Sequence, residues 1–400
     1  MIPQSDFLRL NAFHVVNDGL YDSVPILLSF MFIAFGAGER EVGIVTSCAA
    51  ACSTLISLST VRVSRKLRMA HIFVLVSVLY GIGFLANSAA RSVWFSGFFF
   101  VLALCGHGIF HTVAFAYISA HTERRFLGKV MGDFTVIGDI GRIPLVSFAG
   151  FAAAFSIWDV PGWRFVCLAY GAAALLAAIL LLASARRFPD RAEDDKVPGE
   201  ARPRGLPPFA LLRDKDVALS MLSSALNAFS SDRVFTFLPL LLFAKGVQPE
   251  RMGAFALGFT LGSCLGRMAC GRLIDRFGSR QIFAAASLLT ATLLLALTAA
   301  EQFILIVAVS FSLGLIARGA LPAVQTVITE PESARHNYAG IFSLNTFLRG
   351  GVNMLTPLLF GFVGATFGMY RIFYIMAGGA LLAAMPILLT RPRQAGDAAS

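Results

Sequence analysis

The sequence predicts an all-α membrane protein made of two six-helix bundles. Three observations carry that expectation: an apolar composition, apolar runs of membrane-crossing length along the chain, and a partial internal repeat. Of 400 residues, 57% are hydrophobic and 14% charged, against about 25% charged in a soluble domain. Lipid is therefore the main solvent. Crossing a hydrocarbon core roughly 30 Å thick takes about 20 apolar residues in a helix, and twelve such runs fit the chain.

In order, the expected spans are 8–35, 41–61, 69–89, 92–120, 126–155, 163–185, 215–243, 250–271, 279–299, 302–329, 336–365 and 369–390. The first holds Asn11, His14, Asn17, Asp18 and Asp22, too polar for a signal-peptide core, so it is expected to stay as a membrane helix. Alternate loops collect Arg62, Arg65, Lys66 and Arg68, then Arg124, Arg125 and Lys129, then Arg272, Arg276 and Arg280, while the opposite loops hold single charges such as Arg91, Arg164 and Arg371. The positive-inside rule places the basic side, and with it both termini, in the cytoplasm of a bacterial-type inner membrane. It also explains the net charge of +10 without nucleic acid. The Pro- and charge-rich stretch 186–214 reads as a solvated linker between halves at 1–185 and 215–400. Six Cys residues show neither a disulfide framework nor zinc spacing and read as packing residues.

The halves resemble each other at their starts. Leu10-Asn11-Ala12-Phe13 with Pro25-Ile26-Leu27-Leu28 answers Leu226-Asn227-Ala228-Phe229 with Pro239-Leu240-Leu241-Leu242, and a similar shift lays the Gly36 to Gly43 loop over Gly246 to Gly253. Duplication of a six-helix unit places binding sites between the halves, near the midplane.

Gly271-Arg272-Leu273-Ile274-Asp275-Arg276-Phe277-Gly278-Ser279-Arg280 resembles the loop motif of the major facilitator superfamily. The resemblance implies the major facilitator fold and a conformational latch formed by Gly271, Asp275, Arg276, Gly278 and Arg280. Glycines permit the tight turn, and Asp275 can meet a helix N-terminus or an arginine. The matching loop of the first half, Arg62 to Arg68, keeps the basic charge without the glycines and the acid. His14 to Asp18, Gly106-His107-Gly108-Ile109-Phe110-His111 and the glycines leading to Pro144 look like the fosmidomycin-resistance branch of bacterial exporters, with Thr112 where that branch has Pro. Gly132, Gly138 and Gly141 also suit plain close packing of helices.

Ionisable groups within a span imply a cavity, a partner or a relay. Asn11, His14, Asp18, Tyr21 or Asp22, and Pro25 recur at three- and four-residue spacing on one helical face. Asp18 and Asp22, one turn apart with His14 beside them, are the proton-coupling candidates, and bracing of a neighbouring helix is the alternative. Asn17, Tyr21, His107, His111, Asp139, Arg142, Asp232, Arg318 and Arg349 are the substrate-cavity candidates. The spacing of His107 and His111 also suits a metal, although no Glu follows His107 as in zinc proteases, and no metal is assigned. Asp139 lies three residues before Arg142, so those two can neutralise each other. Arg318 and Arg349 have no acid at helical spacing on their own helices. A substrate carboxylate, phosphate or phosphonate could complete them, as could a salt bridge to Asp18, Asp22 or Asp232.

These features predict a proton-coupled secondary transporter of a small anionic or zwitterionic solute, monomeric, working by alternating access. Export follows the exporter resemblance, and import of an organic anion, siderophore or nutrient fits the arginines as well. A transport-silent sensor would not need charges on so many helices. No nucleophile with a base, nucleotide loop or metal cluster supports an enzyme, and no cofactor is expected.

Overall fold

The computed structural model describes residues 4–64, 67–122, 124–183, 208–331 and 338–390. The chain is helical almost throughout: α1 Gln4–Ala34, α2 Glu39–Ser64, α3 Met69–Ser88, α4 Val93–His121, α5 Arg124–Ala153, α6 Gly162–Ala183, α7 Lys215–Ser231, α8 Val234–Ala244, α9 Met252–Phe277, α10 Ser279–Ala299, α11 Phe303–Leu313, α12 Leu321–Val327, α13 Tyr338–Phe367 and α14 Met369–Leu388. Among the described residues, nine helices are long and apolar enough to cross a membrane. The polar first helix α1, α2, and the α7–α8 pair complete the set.

Three departures from the expected spans have local causes. The seventh span is interrupted at Asp232 and Arg233, between α7 and α8. The tenth is interrupted by a π-helical turn, Gly314–Arg318. There the Arg318 carbonyl lacks its usual helical donor because that position is Pro322, and Arg267 Nε donates to it at 3.4 Å instead. Finally, a short hairpin, β1 Ser156–Ile157 and β2 Val160–Pro161, joins α5 to α6. Most of the expected linker, and the tail after 390, lie outside the described residues, as do the side chains of Arg62, Arg65, Lys66, Arg124, Arg125 and Lys129.

The chain divides into two compact units, one of residues 1–198, 235–260 and 357–369, the other of 199–234, 261–356 and 370–400. In the first, α1 packs along α5 and α3 lies against both α4 and α6. The crossing of α1 and α5 is glycine-lined: a Cβ on Gly141 would come 2.1 Å from the Val15 carbonyl oxygen, so the bare backbone is what permits the approach. Gly43 meets Gly361, and Gly150 meets Gly253, in similarly tight contacts. Phe13, Phe73 and Phe110 stack beside α1, with Phe13 and Phe73 ring centroids 4.9 Å apart.

In the second unit, Phe283, Ala323, Val324, Val327, Ala383 and Ile387 join α10, α12 and α14 into one core, and Val217, Met221, Ile341 and Leu344 join α7 to α13. Asp214 caps α7, its carboxylate accepting from the backbone N–H of Asp216 at 2.8 Å. The repeat is visible in backbone detail. α1 and α8 end alike, on Gly36 at φ 67° and Gly246 at φ 75°, with Ala37 N–H donating to Phe32 O and Val247 N–H to Leu242 O. This is a Schellman end, which requires a left-handed residue.

Candidate functional site

The polar face foreseen on α1 is buried and lies at the centre of an ion cluster. His14, Asn17, Asp18 and Asp22 are each at most 2% exposed. Their three- and four-residue spacing stacks them on the side of α1 that meets α4 and α5. From α5, Arg142 spreads its guanidinium over three carboxylates: Nη2 is 2.7 Å from Asp18 Oδ2, Nε is 2.9 Å from Asp22 Oδ2, and Nη1 bonds Asp139 Oδ1. The Asp139 pairing is the one read from spacing; the two long-range partners come only with the fold.

From α4, His111 Nε2 lies 3.0 Å from Asp18 Oδ1, and His14 Nε2 on α1 lies 3.2 Å from Asp18 Oδ2. Asn17 Nδ2 donates to Asp18 Oδ1 at 3.0 Å and reaches His107 Nδ1 at 3.2 Å. In that arrangement His107 Nδ1 accepts, which leaves the proton of a neutral ring on Nε2. Tyr21 stacks on His107 with centroids 3.7 Å apart, and His14 stacks on Phe134 at 4.0 Å. A Cβ on Gly138 would sit 2.4 Å from the His14 ring, so this glycine makes room for the imidazole. Tyr80 OH donates to the Asn17 carbonyl at 3.4 Å.

Three carboxylates and three imidazoles thus surround one guanidinium. His14, Asp18 and His111 hold possible ligand atoms within 4.8 Å of one another. The Arg142 charge lies 2.7 Å from that same carboxylate and would repel a metal cation strongly in so dry a place.

A second ionic site lies in the other unit. Arg349 Nη2 faces both Asp232 oxygens, at 2.8 and 2.9 Å, while Asn353 Nδ2 donates to Asp232 Oδ2 at 3.0 Å. Arg349 Nη1 donates to the Ser224 carbonyl at 2.9 Å. Of the three acids that could complete Arg349, the fold selects Asp232, whose side chain stays 27% exposed. Asn353 and Ser224 were not singled out from sequence, although Asn353 follows Arg349 by one helical turn. Arg233 donates to the Asn353 carbonyl at 3.1 Å, and Arg318 lies in the π turn on a different helix.

Of the expected latch, Gly278 at φ 84° makes the turn between α9 and α10. Arg280 caps the end of α14, donating to the carbonyls of Ile387, Leu388 and Thr390. Ser279 donates to Glu330, Arg276 lies 5.1 Å over the Phe277 ring, and Gly271 has open space around it.

Comparison with known proteins adds identity to this geometry. The family model described as Major Facilitator Superfamily matches residues 14–258 and 220–399. Among curated proteins, the Multidrug resistance protein MdtG of Klebsiella pneumoniae (strain 342) is 30% identical over 128 residues, and that of Dickeya zeae (strain Ech586) is 31% identical over 131. These matches span about a third of each relative's length. Among solved structures, a bacterial homolog to the human lysosomal transporter Spinster, in an inward-facing and unoccupied conformation, superposes with TM-score 0.73 at 16% identity, covering 99% of this chain and 100% of its own. The nucleoside transporter NupG, as a D323A mutant, superposes with TM-score 0.74 at 15% identity, covering 96% of this chain and 100% of its own.

Proposed function

We propose, for a chain that belongs to the Major Facilitator Superfamily, that this multi-pass membrane transporter exchanges protons for a small anionic or zwitterionic organic solute, with export as its direction. The observation that carries the reading is the buried gathering of Asp18, Asp22, Asp139, His14, His107 and His111 around Arg142. Ionisable groups are costly within a membrane and are kept where a pathway or relay uses them.

A proton placed on Asp18 removes one of the charges that hold Arg142 and takes from His111 its acceptor. Arg142 keeps Asp22 and Asp139, so the cluster persists with a weaker tie between α1 and α5. His14, His111 and His107 offer neighbouring places for the proton. The number of protons then biases two arrangements of the helices, which is what coupling requires. In this reading the halves 1–185 and 215–400 rock on the 186–214 linker, with basic loops and termini in the cytoplasm of a bacterial-type inner membrane, and the chain works as a monomer.

The substrate class follows from Arg349. One nitrogen, Nη2, meets both Asp232 oxygens, and a substrate carboxylate or phosphonate could take the place of Asp232 there, the more exposed partner of the two. Export is supported by the similarity to the two multidrug resistance proteins and by the exporter-like residues of α1 and α4, which point to the fosmidomycin-resistance branch.

Reconstitution into liposomes tests the reading. Asp18→Asn and Asp22→Asn are each expected to lose proton-gradient-driven transport while folding normally. Unchanged coupling in both variants would remove the proposal, and substrate movement with the proton rather than against it would reverse the direction.

A further inference from the structure

The hairpin between α5 and α6 carries an unusual tip. Ser156 pairs with Pro161 and Ile157 with Val160, leaving Trp158 and Asp159 as a two-residue turn with φ of 50° and 61°. Two successive left-handed residues suit Asn-Gly or Asp-Gly, and a bulky side chain is poorly fitted to that region. Strained backbone persists where surrounding contacts over-determine it. Here they do not come from the protein, because Trp158 is 92% exposed.

The flanking positions have the same character: Phe155 is 60% exposed, Ile157 48% and Val160 38%. Both neighbouring helices are membrane spans, ending at Ala153 and resuming at Gly162. With a rise of about 3.3 Å per strand residue, the tip reaches only about 7 Å past the strand bases. That is the depth of the headgroup and glycerol layer, where Trp is favoured because its ring is apolar and its N–H needs a polar partner.

The other tryptophans lie on the same side. Trp94, 58% exposed, is in the first turn of α4. Trp163 begins α6 beneath the Arg164 guanidinium, 4.4 Å from its ring. Arg164 in turn donates to the Ser88 and Ala90 carbonyls at 2.8 and 2.7 Å, tying the α3–α4 turn to the base of the hairpin. All three tryptophans of the chain therefore stand at the end of the first unit where α4 and α6 begin.

We propose that the 156–161 hairpin is an interfacial anchor, with the Trp158 indole seated among phospholipid headgroups at this end. The lipid layer supplies the contacts that the strained turn lacks within the protein, and it holds the hairpin end of α5 at constant depth.

Fluorescence of the full-length protein in phospholipid nanodiscs tests this, using the spectrum of wild type minus that of Trp158→Phe to isolate one indole. A Trp94→Phe/Trp163→Phe variant, which keeps Trp158 alone, gives an independent measurement. The expected result is emission blue-shifted from aqueous tryptophan, quenched by lipids brominated near the headgroup more than by lipids brominated deep in the chain. Water-like emission that is open to acrylamide and blind to brominated lipid would overturn the proposal. So would a blue shift with no lipid quenching, which would point to a protein partner.

Discussion

The cluster on α1, α4 and α5 and the pair on α7 and α13 are made from corresponding parts. Asp18 faces Arg142 in one unit and Asp232 faces Arg349 in the other. Their surroundings differ. Arg142 is shared among three carboxylates with imidazoles beside them, and the Asp18 side chain is 3% exposed. Arg349 has one carboxylate, both of whose oxygens face its Nη2, and that carboxylate is 27% exposed. The helices differ as well, since α1 runs unbroken through Asp18 while α7 stops just before Asp232. A one-to-one pair needs no further charge, whereas an acid-rich buried cluster is sensitive to each proton it gains. The one site is thus a shared, acid-rich cluster and the other a compact ion pair.

The largest expected effect comes from Arg142→Met, which would leave three buried carboxylates facing one another. Removing one partner of a buried ion group costs about 3–5 kcal/mol. The variant should melt far below wild type in detergent, and a wild-type melting temperature would show that the cluster is wetter than its burial indicates.

A double-mutant cycle on Arg349→Met and Asp232→Asn should give a smaller coupling energy, about 1–3 kcal/mol. Each single variant should cost more than the pair removed together, because each leaves one group unmatched. Additive melting shifts would mean that the Arg349–Asp232 contact contributes nothing.

The third comparison uses one glycine on α5 and one on α13. Gly138→Ala drives a methyl into the His14 ring, whereas Gly351 has nothing within 4 Å of an added Cβ. Overpacking predicts a loss of about 1–3 kcal/mol for Gly138→Ala. Gly351→Ala should be neutral or gain about 0.5–1 kcal/mol from helix propensity. Equal melting shifts would break the distinction between a tight crossing and a loose one.

Much of this was legible in sequence for physical reasons. Helical periodicity alone places His14, Asp18 and Asp22 on one face, and the expense of charge in lipid makes that face point inward. The matching Gly36 and Gly246 turns were legible because only a left-handed residue closes a Schellman end. The i,i+3 spacing of Asp139 and Arg142 foretold their contact. Arg349 was narrower than it looked: three acids could complete it by sequence, and choosing among them needs to know which helices lie side by side. The strained Trp158 turn left no signal in a reading that extended the fifth span to 155, because Trp-Asp is not a hairpin dipeptide.

By itself, then, the sequence determined a chain of membrane helices and a polar stripe on the first helix, because hydropathy, charge and helical period are properties of neighbouring residues. Only the tertiary structure decided that Arg142 reaches two acids on α1, 120 and 124 residues away in the chain, that Asp232 completes Arg349, and that His107 and His111 join Asp18. Those contacts depend on which helices cross, as α1 and α5 do at Gly19 and Gly141, and no local pattern encodes which crossing a helix will make.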